Sequence, residues 1–98
     1  MKGINIVDYA VLSVAGSVVG LADGTPALPD AANRVYLTVE TDAIRWRADG
    51  TDPSTSEGHK LSSGDSISFM GANYRQLLEQ IRFSKVSTTA ALKITYYD

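Results

Sequence analysis

Arg34-Val35-Tyr36-Leu37-Thr38-Val39-Glu40 decides the fold class of this chain. Val35, Leu37 and Val39 alternate with Arg34, Tyr36, Thr38 and Glu40, and a period of two sends the first set to one face of a strand and the second set to the other. Such a segment packs its apolar side on a core and leaves the other side to solvent. The alternation recurs downstream, with Ile44 and Trp46, Ile67 and Phe69, Ile81 and Phe83, and then Leu92, Ile94 and Tyr96 as the inward sets. Upstream, Tyr9 to Val19 is rich in valine and lacks the charged face of a surface helix, which predicts one or two further strands. Ile4 to Val7 adds a short one.

The links between these strands carry their own chemistry. Asp23-Gly24-Thr25-Pro26 and Pro29-Asp30 mark residues 22–33 as a surface loop, because proline blocks both helix and central-strand pairing. Glu40-Thr41-Asp42-Ala43 has hairpin length and predicts that Val35–Val39 pairs antiparallel with Ile44–Trp46. The Ser-, Thr-, Gly- and Asp-rich span of residues 49–65 predicts the longest polar surface loop, a contact element when ordered. Asn73, with Gln76 three residues on, offers a capping box for one helical turn over Tyr74–Glu79, placed to bridge two sheets or close one end. Short strands punctuated by turns predict one all-β domain over residues 1–98. Its expected form is an antiparallel β-sandwich or small jelly-roll-like barrel of about 6–8 strands with at most one short helical turn.

Composition sets the outer bounds. At 98 residues, 44% hydrophobic and 20% charged, the chain has the size and balance of a single packed domain. A net charge of -2 and a pI near 5.2, with Lys and Arg scattered, give no field for tracking phosphates, so no nucleic-acid partner is expected. The absence of cysteine removes disulfides and thiolate chemistry and points to synthesis and folding in a cytoplasm. Asp8 interrupts the apolar run after Lys2, so no export signal is expected. Tyr9 to Leu21, the longest apolar stretch, falls short of the about 20 residues that cross a bilayer, and no membrane role is expected.

Candidate chemistry is sparse. His59 is the sole histidine, so several copies around a symmetry axis would be needed to build a histidine metal site. Asp49, Asp52, Glu57 and Asp65 miss the alternating ligand spacing of the common calcium loop, and turn formation accounts for them. No serine sits in a strand-turn-helix elbow with a histidine base, and the glycines are dispersed at turns rather than gathered in a phosphate loop. The reading is therefore non-enzymatic, with no catalytic residue, metal or cofactor expected. Trp46 on the inward face reads as a core anchor in preference to a sugar-stacking platform. Tyr36 and Tyr97 point outward, where aromatic rings suit a subunit contact, and Arg45 and Arg47 are expected on that same outward face. With Asp52 and His59 of the polar loop, these six residues form the candidate interface.

A family resemblance adds to this. Val35-Tyr36-Leu37-Thr38-Val39-Glu40-Thr41, Ile44-Arg45-Trp46-Arg47-Ala48-Asp49-Gly50-Thr51-Asp52-Pro53, Gly58-His59-Lys60-Leu61, Gly64-Asp65-Ser66-Ile67, Ile81-Arg82-Phe83 and Ala91-Leu92-Lys93-Ile94-Thr95-Tyr96-Tyr97 resemble small β-sandwich proteins encoded among tailed-bacteriophage structural genes. The resemblance runs from Arg34 to the end, and the N-terminal third departs from it. It implies a virion component, foremost a head decoration or cement protein on the outer capsid surface, with the major capsid protein and copies of itself, as homodimer or homotrimer, for partners. A tail or baseplate module that contacts a host glycan, or a head-tail joining protein, is the alternative. Met1 to about Val7 is expected to act as an N-terminal arm that adds a strand to a neighbour.

Overall fold

The computed structural model describes residues 4–98. Eight strands run in chain order as β1 (Ile6–Val14), β2 (Val19–Gly20), β3 (Arg34–Glu40), β4 (Ile44–Arg47), β5 (His59–Leu61), β6 (Ser66–Phe69), β7 (Arg82–Lys85) and β8 (Ala90–Tyr97). They form two four-stranded antiparallel sheets, ordered β1-β8-β3-β6 and β2-β7-β4-β5. This order, in which the chain repeatedly crosses from one sheet to the other, is that of an eight-stranded jelly roll. The all-β class and the strand number follow the sequence reading. A 3₁₀ turn at Leu21–Asp23 follows β2, and the helix α1 (Arg75–Gln80) leads from β6 to β7 and so bridges the sheets, as expected.

The core lies where the inward sets of the two sheets meet. On the first sheet Ala10, Leu12 and Val14 of β1, Leu92, Ile94 and Tyr96 of β8, and Val35, Leu37 and Val39 of β3 are buried. Ile44 and Phe83 close it from the second sheet, with Leu21, Leu78 and Ile81 at one end. Each large aliphatic or aromatic side chain removed from water here contributes about 1.5–3 kcal/mol. Tyr96 is the exception within this apolar set, since its hydroxyl is buried with no hydrogen-bond partner among the described residues. Burial pushes the phenol up from 10.0 to about 12, against the opposing field of Arg75.

That orphan hydroxyl yields a first prediction. The fold favours the neutral phenol, so its stabilising contribution is complete below pH 10 and is lost as pH rises through about 12. Tyr96→Phe keeps the ring and removes the unsatisfied atom, so stability at neutral pH rises by about 1 kcal/mol. The alkaline loss should shrink in the same variant. Urea unfolding at neutral and alkaline pH checks both, and a destabilised Phe variant would show that the hydroxyl is bonded in solution.

Four local expectations are corrected. The link after β3 is not a hairpin: β3 and β4 belong to different sheets, and β3 pairs instead with β8 and β6. Thr41 turns the corner at φ 81°, a conformation that a β-branched residue rarely adopts. Asp42 fixes the corner by accepting the N–H of Ala43 at 2.7 Å and the hydroxyls of Ser87 and Thr88. These bonds, that of Thr88 foremost, hold its carboxyl below the usual range.

The capping box around Asn73 does not form. Tyr74 occupies the cap position without a side-chain bond, while Asn73 Oδ1 accepts from the N–H of Arg75 at 2.9 Å in a short Asx turn. Within residues 49–65, the stretch from His59 to Leu61 is a strand paired to β4. Of the expected arm, residues 1–3 lie outside the described residues. Ile6 and Val7 belong to β1, and the Asn5 N–H reaches the Asp98 carboxylate at 3.0 Å.

Candidate functional site

Two surfaces gather side chains that the core leaves wholly or partly exposed. The first is the outer face of the β1-β8-β3-β6 sheet. Strand register places Tyr9 opposite Thr95, Thr95 opposite Tyr36, and Tyr36 opposite Ser68, so one row crosses all four strands. Tyr9 and Tyr36 stand two strands apart, about 9.5 Å, with Thr95 between them. The adjoining row holds Ile6, Tyr97 and Arg34. Ile6 is 70% exposed, Tyr9 53% and Tyr36 42%, which makes a band of aromatic and aliphatic surface across the sheet. Arg34 borders the band, and its Nε donates to the Gly71 carbonyl at 2.6 Å.

A β-bulge creates part of this band. Strict alternation back from Val14, Leu12 and Ala10 would turn Ile6 inward. The register shift between Ile6 and Asp8 instead sends Ile6 outward opposite Tyr97, while Val7 packs against the core.

The second surface is a cleft of about 560 Å³ beyond the ends of β4 and β5, lined by Trp46, Arg47, Asp49, Glu57, Gly58 and His59. Trp46 and His59 are cross-strand partners, and their rings sit 4.7 Å apart, tilted by 37°. Trp46 also meets Phe69 edge-on at 5.8 Å, so the indole packs on the core and lines the cleft at once. Arg47 grips Asp49 in a two-pronged bond, Nε to Oδ1 at 3.1 Å and Nη2 to Oδ2 at 2.5 Å. The guanidinium holds the Asp49 carboxyl below its usual range. Arg45 shapes the loop from behind, donating to the carbonyls of Thr55 at 3.1 Å and Gly58 at 3.0 Å.

The six candidate residues therefore divide. Tyr36 and Tyr97 lie on the outer face of one sheet, whereas Arg45, Arg47 and His59 belong to the other. Asp52 is exposed in the loop between β4 and β5. The shared outward face expected for the tyrosines and arginines does not exist, because the Thr41–Asp42 corner carries the chain to the opposite sheet. Tyr9 and Ile6 join the band without having been among the candidate interface residues, and Glu57, weighed in the sequence only as a calcium-loop carboxylate, lines the cleft. For Tyr9 the signal was present, since it alternates with the buried Ala10, Leu12 and Val14.

A further cleft of about 490 Å³ beside α1 is lined by Asp23, Leu28, Arg75, Glu79 and Arg82 among others. Arg75 there bonds the carbonyls of Pro29 at 2.6 Å and Ala32 at 3.0 Å and the Glu79 carboxylate at 3.0 Å, and so acts as a strut between loop and helix. Among the described residues no three His, Asp or Glu side chains gather as a metal site, and no helix is long and apolar enough to cross a membrane. Comparison of the chain with models of protein families, with curated proteins and with solved structures finds no match.

Proposed function

We propose that this chain is a non-enzymatic structural protein of a tailed-bacteriophage virion, a decoration or cement protein that binds and stabilises the outer surface of the head. The observation that carries this reading is the band of Ile6, Tyr9, Tyr36 and Tyr97 on one broad sheet face. A cement protein needs a flat, partly apolar surface that desolvates against a lattice of capsid subunits, where many weak contacts compound. Tyrosine suits such a contact, because it offers a large rigid area with a polar tip and loses little rotamer freedom. The resemblance of Arg34 to Tyr97 to phage structural proteins supports the same reading. Its partners are the major capsid protein and other copies of this chain.

The Trp46–His59 cleft favours a second reading, a tail or baseplate module that contacts a host glycan. Jelly rolls serve in viral capsids and in lectins alike, so the fold does not choose between them. Co-sedimentation with undecorated, expanded capsids, assembled from the major capsid protein encoded with this chain, tests the choice. Saturable binding at a fixed copy number per capsid subunit is the expected result. Failure to sediment with capsids, together with retention by host cells, would move the protein to the tail, and a ring-sized mass in light scattering would move it to the head-tail junction.

A further inference from the structure

Sheet edges invite pairing with other chains, and three of the four edges here carry a feature that prevents it. The β1 edge is covered at Val11, whose N–H and carbonyl bond Thr25 at 3.0 and 2.9 Å, and the Asp8 carboxylate takes the adjacent Tyr9 N–H at 2.8 Å. The β2 edge is only two residues long. The β5 edge has three residues with Lys60 in the middle. The β6 edge, Ser66-Ile67-Ser68-Phe69, has no charge, no proline and no bulge, and among the described residues no strand lies beyond it.

The direction of its backbone groups follows from the ladder. Val39 directs its N–H to Asp65 and its carbonyl to Gly64, so the odd residues of β3 bond towards β6. Ile67 and Phe69, opposite Leu37 and Val35, are therefore the bonded partners of β3. Ser66 and Ser68 then aim their N–H and carbonyl groups at the open edge. Their side chains are exposed on the outer face, while Ile67 and Phe69 remain half-buried at the rim.

We infer that β6 pairs with β6 of a second copy of this chain, antiparallel and about a two-fold axis at Ile67. Ser66-Ile67-Ser68 reads the same in both directions, so a two-fold axis at its centre sets Ser66 opposite the partner's Ser68, and Ser68 opposite the partner's Ser66. Each of these pairs exchanges both its N–H···O bonds. Ile67 meets its own copy as the close, non-bonded pair, the geometry in which β-branched side chains stabilise a sheet. The two four-stranded sheets become one continuous sheet, and the rim of Ile67 and Phe69 is covered. The isologous contact closes on itself, so it produces a dimer and no fibre. This inference stands apart from capsid binding, and either can fail alone.

The test is the mass of the full chain by sedimentation equilibrium from about 1 µM to about 1 mM, the range in which small interfaces saturate. The parent should rise from 10.5 kDa towards twice that mass. Ser68→Pro removes an outward N–H without touching a bond to β3, and should weaken dimerisation at least about tenfold. Ser13→Pro makes the same change at an outward position of the β1 edge and should leave the mass curve unaltered. A charge swap reads the register in chains whose backbone is untouched. Ser66→Lys with Ser68→Lys opposes like charges in both pairs and should weaken the dimer, whereas Ser66→Glu with Ser68→Lys opposes unlike charges and should restore it. A parent that stays at 10.5 kDa throughout, or charge variants that behave alike, overturns the inference.

Discussion

On the proposed role as a capsid-binding protein, a chain carrying Tyr9→Thr and Tyr36→Thr is expected to bind the expanded capsid at least about 100-fold more weakly than the parent, because tyrosines buried at an interface centre are each worth about 2 kcal/mol or more. The two positions share one row across the sheet, with Thr95 between them, so a surface docked on this face would meet both rings together. Threonine is the informative replacement. It keeps the strand preference of tyrosine while discarding the ring, and neither side chain belongs to the core, so the fold should persist. Co-sedimentation isotherms read the affinity, and thermal melts confirm that the chain is folded. Binding that survives this pair but falls with His59→Ala or Arg47→Ala would place docking on the cleft of the other sheet.

The strands of this jelly roll were legible because alternation in β3 and β8 is strict: Val35, Leu37, Val39, Leu92, Ile94 and Tyr96 are all buried. Alternation specifies faces, however, and says nothing about partners. The pairing of β3 with β8 joins residues far apart in sequence, while the short link at Glu40–Ala43 suggested a local hairpin. Only the positive φ of Thr41 and the side-chain bonds of Asp42 reveal a corner, and neither is written in residue type, since threonine is a poor choice for that conformation. The same limit hid the aromatic band. Ile6 faces outward because a bulge resets the register, and a bulge without glycine leaves no compositional mark.

The cleft was half legible. The polar span after Trp46 announced a contact loop, and His59 lies in it, but their ring contact depends on the register of β4 with β5, which the sequence did not specify. Glu57 reaches the cleft through the turn before Gly58, held where its N–H meets Ser54 Oγ at 3.0 Å. Burial explains why Trp46 fitted two readings. One side chain can anchor a core and line a cleft when it sits at the open end of a sandwich, and the edge-on contact with Phe69 of the opposite sheet puts Trp46 there.

Gly58→Ala is expected to cost about 2–5 kcal/mol, the sum of a strained backbone and an overlap that the loop cannot relieve. Gly58 has φ 126°, outside the range that side chains tolerate. An added Cβ would stand 3.0 Å from the Trp46 carbonyl and 3.2 Å from both Arg45 Cβ and Pro53 Cβ. The first obstacle is backbone of β4, and Pro53 is buried, so no flexible side-chain end is available to swing away. Relief requires the chain to leave β4, which removes the Gly58 carbonyl from Arg45 and pulls His59 off Trp46. Gly50→Ala supplies the comparison: its φ of 88° is also positive, but nothing lies within 4 Å of the added atom. It should cost about 1 kcal/mol, the conformational penalty alone. Thermal melts should separate the two by about 10 °C, at several degrees per kcal/mol in a domain of this size. Trp46 is the only tryptophan, so its fluorescence reports whether the cleft opens before the fold is lost. Equal costs for the two alanines would mean that the loop beneath Gly58 yields freely, and that the Trp46–His59 cleft is not a preformed site.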